Sequence, residues 1–182
     1  MKLAKLLFLV LIVGSASLYT SVMRRNRIQT LREEKTVKLK KETATEFELK
    51  NWDAQSVRLS ELNKTNYILL NFWAAWCEPC IQELPDMMRF QKLFEDKPIR
   101  IVAVNVGENW GQIKTFFKDK LQGRPPFEVL SDLNQRVVSE WGTTKFPETY
   151  LIAPGGRVID KFIGAIPWMD TKTVEHFQEI LN

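Results

Sequence analysis

The chain has 182 residues and a mass of 21.3 kDa, and 45% of its residues are hydrophobic, so one ordinary domain with an additional segment can form a core without disulfide bonds. Its net charge of +4 arises in residues 24–41, where eight Lys and Arg stand against two Glu, while residues 42–182 hold 16 basic and 20 acidic residues. With no nucleic-acid-binding motif, this distribution argues against nucleic acid and favours contact of a basic segment with lipid head groups.

The amino-terminal segment has the features of an export or anchoring sequence. Two lysines precede an uncharged run of 18 residues, Leu6–Met23, which is the lower limit for a membrane span. A cleaved secretory signal that ends after Ala16 is the alternative. We expect three segments: a membrane anchor or signal at 1–23, a basic polar tether at 24–45 and a folded domain at 46–182.

Apolar periodicity predicts an α/β domain. The run YILLNFW at 67–73 is typical of a strand buried on both faces. Pro85 falls inside the helical stripe that follows and predicts a kink there. The further elements, in chain order, are a hairpin over 47–62 at the start of the domain, a strand at 99–106, a helix at 110–120, a strand at 127–130, a helix at 134–141, two strands joined at 154–156 and a helix from about Asp170. This order predicts a central mixed sheet flanked by helices, with an N-terminal β-hairpin.

Cys77 and Cys80 are separated by two residues and lie between a predicted buried strand and a predicted helix. The unpaired N–H groups of a helix N-terminus stabilise an anion, which lowers the pKa of a thiol there and yields the nucleophilic thiolate. A zinc site lacks ligands, since His176 is the single histidine. Haem attachment needs His where Ile81 stands, and a structural disulfide would close only a very small loop. The spacing therefore favours a redox pair.

The motif LLNFWAAWCEPC, followed by IVAVNVGEN, PETYLI and a Gly-Gly hairpin, resembles the thioredoxin superfamily, and within it the TlpA/ResA/CcmG-like membrane-anchored thiol–disulfide oxidoreductases. The resemblance implies a thioredoxin-like fold without a cofactor, on the extracytoplasmic side of a bacterial inner membrane. It also implies reduction of disulfides in partner proteins, among them apocytochrome c, with electrons from a membrane-embedded thiol donor. The Lys and Arg count around the apolar run favours the opposite orientation, and we follow the resemblance.

The same resemblance assigns roles to site residues. Cys77 corresponds to the exposed nucleophile and Cys80 to the resolving thiol. Pro147 matches a proline that is cis in this fold and lies against the disulfide, and it is expected to present backbone to an extended substrate strand. Trp76 is expected to offer a hydrophobic docking face for substrate, although simple aromatic packing also accounts for it. Phe146, directly before Pro147, is expected to bind substrate as well.

The proton acceptor is less defined, because Asn71 occupies the place of an aspartate that thioredoxin buries. Glu83 lies one helical turn after Cys80, and ResA-like proteins carry a glutamate there. It is either a buried carboxyl of raised pKa that exchanges a proton with the resolving thiol, or a solvated surface side chain. Glu148 resembles a residue of the CcmG-like members and is expected to help select substrate.

Two other functions remain open at this point. One is a general thiol reductase or a peroxide-linked redox protein with no connection to haem proteins. The other is a redox-inert binding module, which would not need Cys77, Cys80 or Pro147.

Overall fold

A computed structural model describes residues 43–181, which form seven strands and five helices. Their bounds are β1 (Glu48–Asn51), β2 (Ser56–Arg58), α1 (Leu59–Leu62), β3 (Tyr67–Trp73), α2 (Glu78–Leu93), β4 (Ile99–Val106), α3 (Trp110–Leu121), β5 (Glu128–Asp132), α4 (Arg136–Trp141), β6 (Glu148–Ala153), β7 (Arg157–Ile163) and α5 (Thr171–Leu181). The short helix α1 is not predicted by the sequence. Pro85 lies within α2, which is continuous over its 16 residues.

The seven strands form one mixed sheet in the order β2-β1-β5-β4-β3-β6-β7. Strands β3, β4 and β5 are parallel, and β1 and β6 pair antiparallel with the two sides of this trio. Strands β2 and β7 complete an antiparallel hairpin at each edge. The predicted mixed sheet and its N-terminal hairpin are confirmed. Because the central strands are parallel, their carboxyl ends meet at one edge of the sheet, where ligands of open α/β sheets are bound.

The sheet has a hydrophobic core on each face, which explains the continuous apolar run of β3. Alternate residues of β3 point to opposite faces. Leu69 and Trp73 belong to the core that also contains both cysteines, whereas Leu70 and Phe72 belong to the other core. The fold therefore holds the cysteine pair against a packed layer rather than on a free loop.

The described chain enters the domain at the edge strand β7. Thr43 forms an isolated antiparallel bridge with Arg157, and the Ala44 N–H donates to the Gly156 carbonyl at 2.8 Å. The last residues of the predicted tether are therefore already bound to the sheet. The predicted anchor and most of the tether lie outside the described residues. Between residues 43 and 181, none of the helices has the length and apolar character needed to span a lipid bilayer.

Candidate active site

The cysteine pair lies where β3 ends and α2 begins. Cys77 is the N-cap residue of α2, and its Sγ accepts the Cys80 backbone N–H at 3.3 Å, while Pro79 lies in the first turn. Proline at that place fixes φ where its missing N–H costs nothing in helical hydrogen bonding. A disulfide joins Cys77 to Cys80. The Cys77 sulfur thus lies among the free donors at the positive end of a 16-residue helix, an environment that favours a thiolate once the disulfide is reduced.

The two sulfurs differ in accessibility. Cys77 is 5% exposed and Cys80 is fully buried. The order of exposure agrees with the roles that the resemblance assigns, but Cys77 is less exposed than expected for an open nucleophile. The reason is that Cys77 packs with the core residues beneath the sheet edge rather than on a projecting loop. A substrate therefore has to approach Cys77 closely over a small area.

Glu83 is buried, with 4% of its surface exposed, so the surface alternative is excluded. Its Oε1 accepts from Asn71 Nδ2 at 2.9 Å, and its Oε2 accepts from the Ile166 N–H at 3.0 Å and from Trp168 Nε1 at 3.1 Å. Burial raises the pKa of Glu83, and these three hydrogen bonds oppose the rise without cancelling it. The side chain is thus a buried carboxyl one helical turn from Cys80.

The raised pKa of Glu83 makes the stability of the fold depend on pH. A carboxyl whose pKa is higher in the folded state than its ordinary value of 4.5 stabilises the fold fully below that value. The contribution is lost as pH rises through the raised folded-state pKa. The free energy of unfolding of the wild type should therefore decrease as pH rises, and we expect this decrease to be absent from the Glu83→Gln protein. Urea titrations of the oxidised wild type and the oxidised variant, from about pH 4 to pH 8, measure the difference. Parallel pH dependences in the two proteins would contradict the expectation.

Two aromatic side chains form the surface beside the cysteine pair. Trp76 is 68% exposed, and its ring meets that of Phe146 edge-on at 5.7 Å between centroids. The Phe146–Pro147 peptide bond is cis, as the resemblance implies, and the Pro147 carbonyl accepts the Gly164 N–H at 2.9 Å. Trp73, by contrast, is fully buried in the core. The structure therefore brings Trp76 and Phe146 together from segments that lie 70 residues apart.

Glu148 does not face solvent. It is 2% exposed, its Oε1 lies 2.8 Å from Lys161 Nζ, and its Oε2 accepts from the Tyr150 hydroxyl at 3.0 Å. Burial lowers the pKa of Lys161, but the bonds to Glu148 and Tyr150 outweigh burial and leave that pKa raised. Lys161 therefore stays charged beside Glu148. The carboxylate links β6 to β7 directly after the cis peptide, and this arrangement offers no free acid to a substrate.

Glu108, which no sequence motif marks, holds the segment before Cys77 in place. Its carboxylate accepts the Ala75 N–H at 3.0 and 3.2 Å and the Asn105 side-chain amide, and it is 9% exposed. Glu108 follows β4, whose carboxyl end lies beside that of β3. A polar residue after the neighbouring parallel strand was the available signal, because such residues meet at the same sheet edge.

Residues 41–161 match the AhpC/TSA family. The chain belongs to this family. It is similar to the thiol-disulfide oxidoreductase ResA of Bacillus subtilis, with 35% identity over 123 residues that make up 68% of this chain and 66% of that protein. It is also similar to the protein of the same name from Geobacillus thermodenitrificans, with 29% identity over 147 residues and 81% of each chain covered.

Solved structures agree with these relatives. A putative thiol:disulfide interchange protein DsbE from Chlorobium tepidum aligns with a TM-score of 0.68 and 27% identity, over 78% of this chain and 96% of the other. StoA from Bacillus subtilis aligns with a TM-score of 0.61 and 22% identity, over 76% and 98% of the two chains, which bears on the fold alone. The predicted thioredoxin-like fold and thiol–disulfide oxidoreductase class are confirmed.

Proposed function

We propose that this oxidoreductase reduces disulfides in partner proteins on the extracytoplasmic side of a bacterial inner membrane, through Cys77 and Cys80. The observation that carries the proposal is Cys77 at the N-cap of α2, with its Sγ turned to the first-turn N–H and Cys80 within disulfide reach. A redox-inert binding module would need none of this.

The reaction consists of two thiol–disulfide exchanges. The Cys77 thiolate attacks one sulfur of the substrate disulfide, which releases the other substrate sulfur as a thiolate and leaves a mixed disulfide with Cys77. Cys80 then gives its proton to the Glu83 carboxylate and attacks the Cys77 sulfur. The substrate leaves with two reduced sulfurs, and the enzyme keeps the Cys77–Cys80 disulfide. Two electrons from a membrane-embedded thiol donor regenerate the dithiol.

The surface around Cys77 suits a polypeptide substrate. Trp76 provides exposed aromatic area beside a nucleophile of low exposure, and the half-buried Phe146 packs against it. An apolar segment that flanks a substrate cysteine can therefore pack there as the sulfurs meet. The Pro147 carbonyl is already bonded to Gly164, so we assign pairing with the substrate backbone to Phe146. Apocytochrome c is proposed as a substrate on the resemblance to the TlpA/ResA/CcmG-like proteins.

Two observations support the proposed extracytoplasmic location and the proposed membrane anchor: the uncharged run Leu6–Met23 and the same resemblance. The Glu148 carboxylate, which is bound by Lys161, is proposed to influence substrate selection indirectly, by holding the position of the neighbouring cis peptide.

A covalent trap tests the proposed function. In the native host, the Cys80→Ala protein should retain its substrates as mixed disulfides on Cys77, because no resolving thiol remains. After an acid quench, mass spectrometry identifies the linked proteins, and Cys77→Ala serves as the matched control that traps nothing. Apocytochromes c or their assembly proteins would support the proposed substrate. A broad set of exported proteins would make the chain a general reductase, and an empty trap from folded, exported protein would overturn the proposal.

A further inference from the structure

A buried hydrogen-bonded chain joins Thr149, Asn71 and Glu83 beneath the cysteine pair. Asn71 of β3 lies opposite Thr149 of β6 in the antiparallel register. The Asn71 side-chain NH₂ donates both of its hydrogens, to Glu83 Oε1 at 2.9 Å and to Thr149 Oγ1 at 3.0 Å. Asn71 and Thr149 are fully buried and Glu83 nearly so. Bulk solvent is therefore excluded, and these groups have to satisfy one another.

All three partners of Glu83 donate, so the carboxylate can accept all three hydrogen bonds, whereas the acid can accept them only on the oxygen that carries no proton. The backbone N–H of Ile166 and the indole N–H of Trp168 both bind Oε2, and neither group can accept a hydrogen bond instead. A proton that reaches Glu83 is therefore placed on Oε1. There its O–H would point at the NH₂ of Asn71, which sets two donors against each other.

The Asn71 amide has the means to resolve this conflict. Its Oδ1 is buried and accepts no hydrogen bond from any of residues 43–181. A half-turn about the Cβ–Cγ bond exchanges Oδ1 and Nδ2. Oδ1 then accepts the Glu83 O–H and the Thr149 O–H, while the NH₂ moves to the position that Oδ1 had left unbonded. The amide makes two hydrogen bonds in either orientation, both as donor in one and both as acceptor in the other.

We propose that the Asn71 amide rotates by a half-turn about its Cβ–Cγ bond each time Glu83 gains or loses a proton. Asn71 is then hydrogen-bonded to both the carboxylate and the carboxylic acid. The inference rests on the proposed function, in which Glu83 takes the Cys80 proton: the S–H bond breaks, the O–H bond forms at Oε1 and no electron moves. Asn71 acts through Glu83 and is thus a positioning residue. The turning amide lets a buried carboxyl exchange protons without leaving a donor opposed to a donor.

The oxidised protein isolates this behaviour from the thiols. The groups that contact Glu83 from β3 and from the segment 166–168 are Asn71, a backbone amide and an indole, none of which titrates. On α2 the titratable groups within one turn of Glu83 are Cys80 and Asp86. The disulfide removes Cys80 from titration, and Asp86 forms an ion pair with Arg89 and makes no hydrogen bond to Glu83. Thr149 carries a hydroxyl that stays neutral. A pH titration of the oxidised chain therefore reports on Glu83 at this site.

The experiment is an NMR titration of the full-length oxidised chain in detergent micelles, with labelled asparagine side-chain nitrogens and glutamate carboxyl carbons. We expect the Asn71 NH₂ signals to change with the same midpoint as the Glu83 carboxyl carbon and, on the acidic side, to take shifts typical of unbonded amide protons. Asn63 is the internal control, because its buried amide donates to the Asn66 carbonyl at 2.8 Å in a separate part of the fold and should not follow. Asn71 signals that stay constant while Glu83 titrates would overturn the proposal.

The Glu83→Gln protein provides a matched test. Its Gln oxygen suits the N–H groups of Ile166 and Trp168, so its NH₂ has to face Asn71 and holds that amide with Oδ1 inward. The Asn71 signals of this variant should resemble the acidic wild type at every pH. Signals like those of the wild type at neutral pH would contradict the turn. Reductase activity of the wild type is measured separately. If the wild type is active but its Asn71 amide does not rotate, this inference alone is wrong. If the wild type is inactive although its Asn71 amide rotates, the proposed function alone is wrong.

Two substitutions measure the consequence for Glu83. Trp168→Phe removes a donor to Oε2 that binds the charged carboxylate more strongly than the neutral acid, so the acid dissociation constant of Glu83 should fall about tenfold. Asn71→Leu removes one hydrogen bond from each form, so the constant should change by less than about threefold. A tenfold fall in both variants would show that Asn71 is a fixed donor and would overturn the proposal.

Discussion

Replacement of Cys77 by alanine is expected to reduce disulfide-reductase turnover to the uncatalysed rate. Cys77 is the sulfur with residual exposure and the one placed at the N-cap of α2, whereas Cys80 is fully buried. Without Cys77, no thiolate is available at the surface to begin the exchange. Turnover of a protein disulfide by the reduced enzyme, with an excess of dithiol donor, measures the effect.

Cys80→Ala is the matched control for this result. It also removes the disulfide, but it keeps the nucleophile, so it should react once, form a mixed disulfide and then stop. Both variants should fold, because the disulfide closes a loop of sequence separation three within a single well-packed hydrophobic core. Thermal unfolding monitored by circular dichroism checks this. Steady turnover by Cys77→Ala would reverse the assignment of the nucleophile.

The second large effect is expected from Glu83→Gln, which should slow turnover about 10²-fold where the resolving step limits the rate. In the proposed mechanism the carboxylate form accepts the Cys80 proton, so wild-type turnover should fall as pH drops through the raised pKa of Glu83. Glutamine cannot accept that proton, and this limb of the pH profile should disappear. The measurement is turnover against pH with one protein disulfide as substrate.

Glu95→Gln makes the same chemical change at an exposed carboxyl just beyond the end of α2 and should leave the profile unaltered. An unchanged profile in Glu83→Gln would remove that residue from the proton transfer. The buried hydrogen bonds from Ile166 and Trp168 would then have a structural role alone.

Local sequence patterns were enough for most of the fold. The apolar run of β3 and the apolar stripe of α2 can be recognised from the spacing of apolar residues within a short stretch of the sequence. The α1 helix was missed because it is a single turn and its N-cap, Arg58, makes no side-chain capping bond that would mark its start. The predicted helix near Asp170 begins at Thr171, and the Asp170 side chain accepts the Lys172 N–H at 3.0 Å as a cap.

The environment of the site depended on contacts between distant segments. Helical spacing placed Glu83 near Cys80 but could not bury it, because two of its three donors come from 83 and 85 residues further along the chain. Glu148 followed the proline motif, yet its partner Lys161 is fixed by the register between β6 and β7, which no short pattern reveals. The sequence was therefore sufficient to predict which residues form the site, but not to predict their protonation or their exposure.

The bridge between Thr43 and Arg157 marks the place where the described chain joins the sheet. Strand β6 runs antiparallel to β3, with Glu148 opposite Phe72 and Ile152 opposite Ile68, so the Gly155–Gly156 turn lies at the opposite end of the sheet from the cysteines. The described chain therefore enters the domain at the end of the sheet opposite the cysteine pair. A polypeptide that packs against Trp76 therefore does not have to displace the residues through which the described chain joins the sheet.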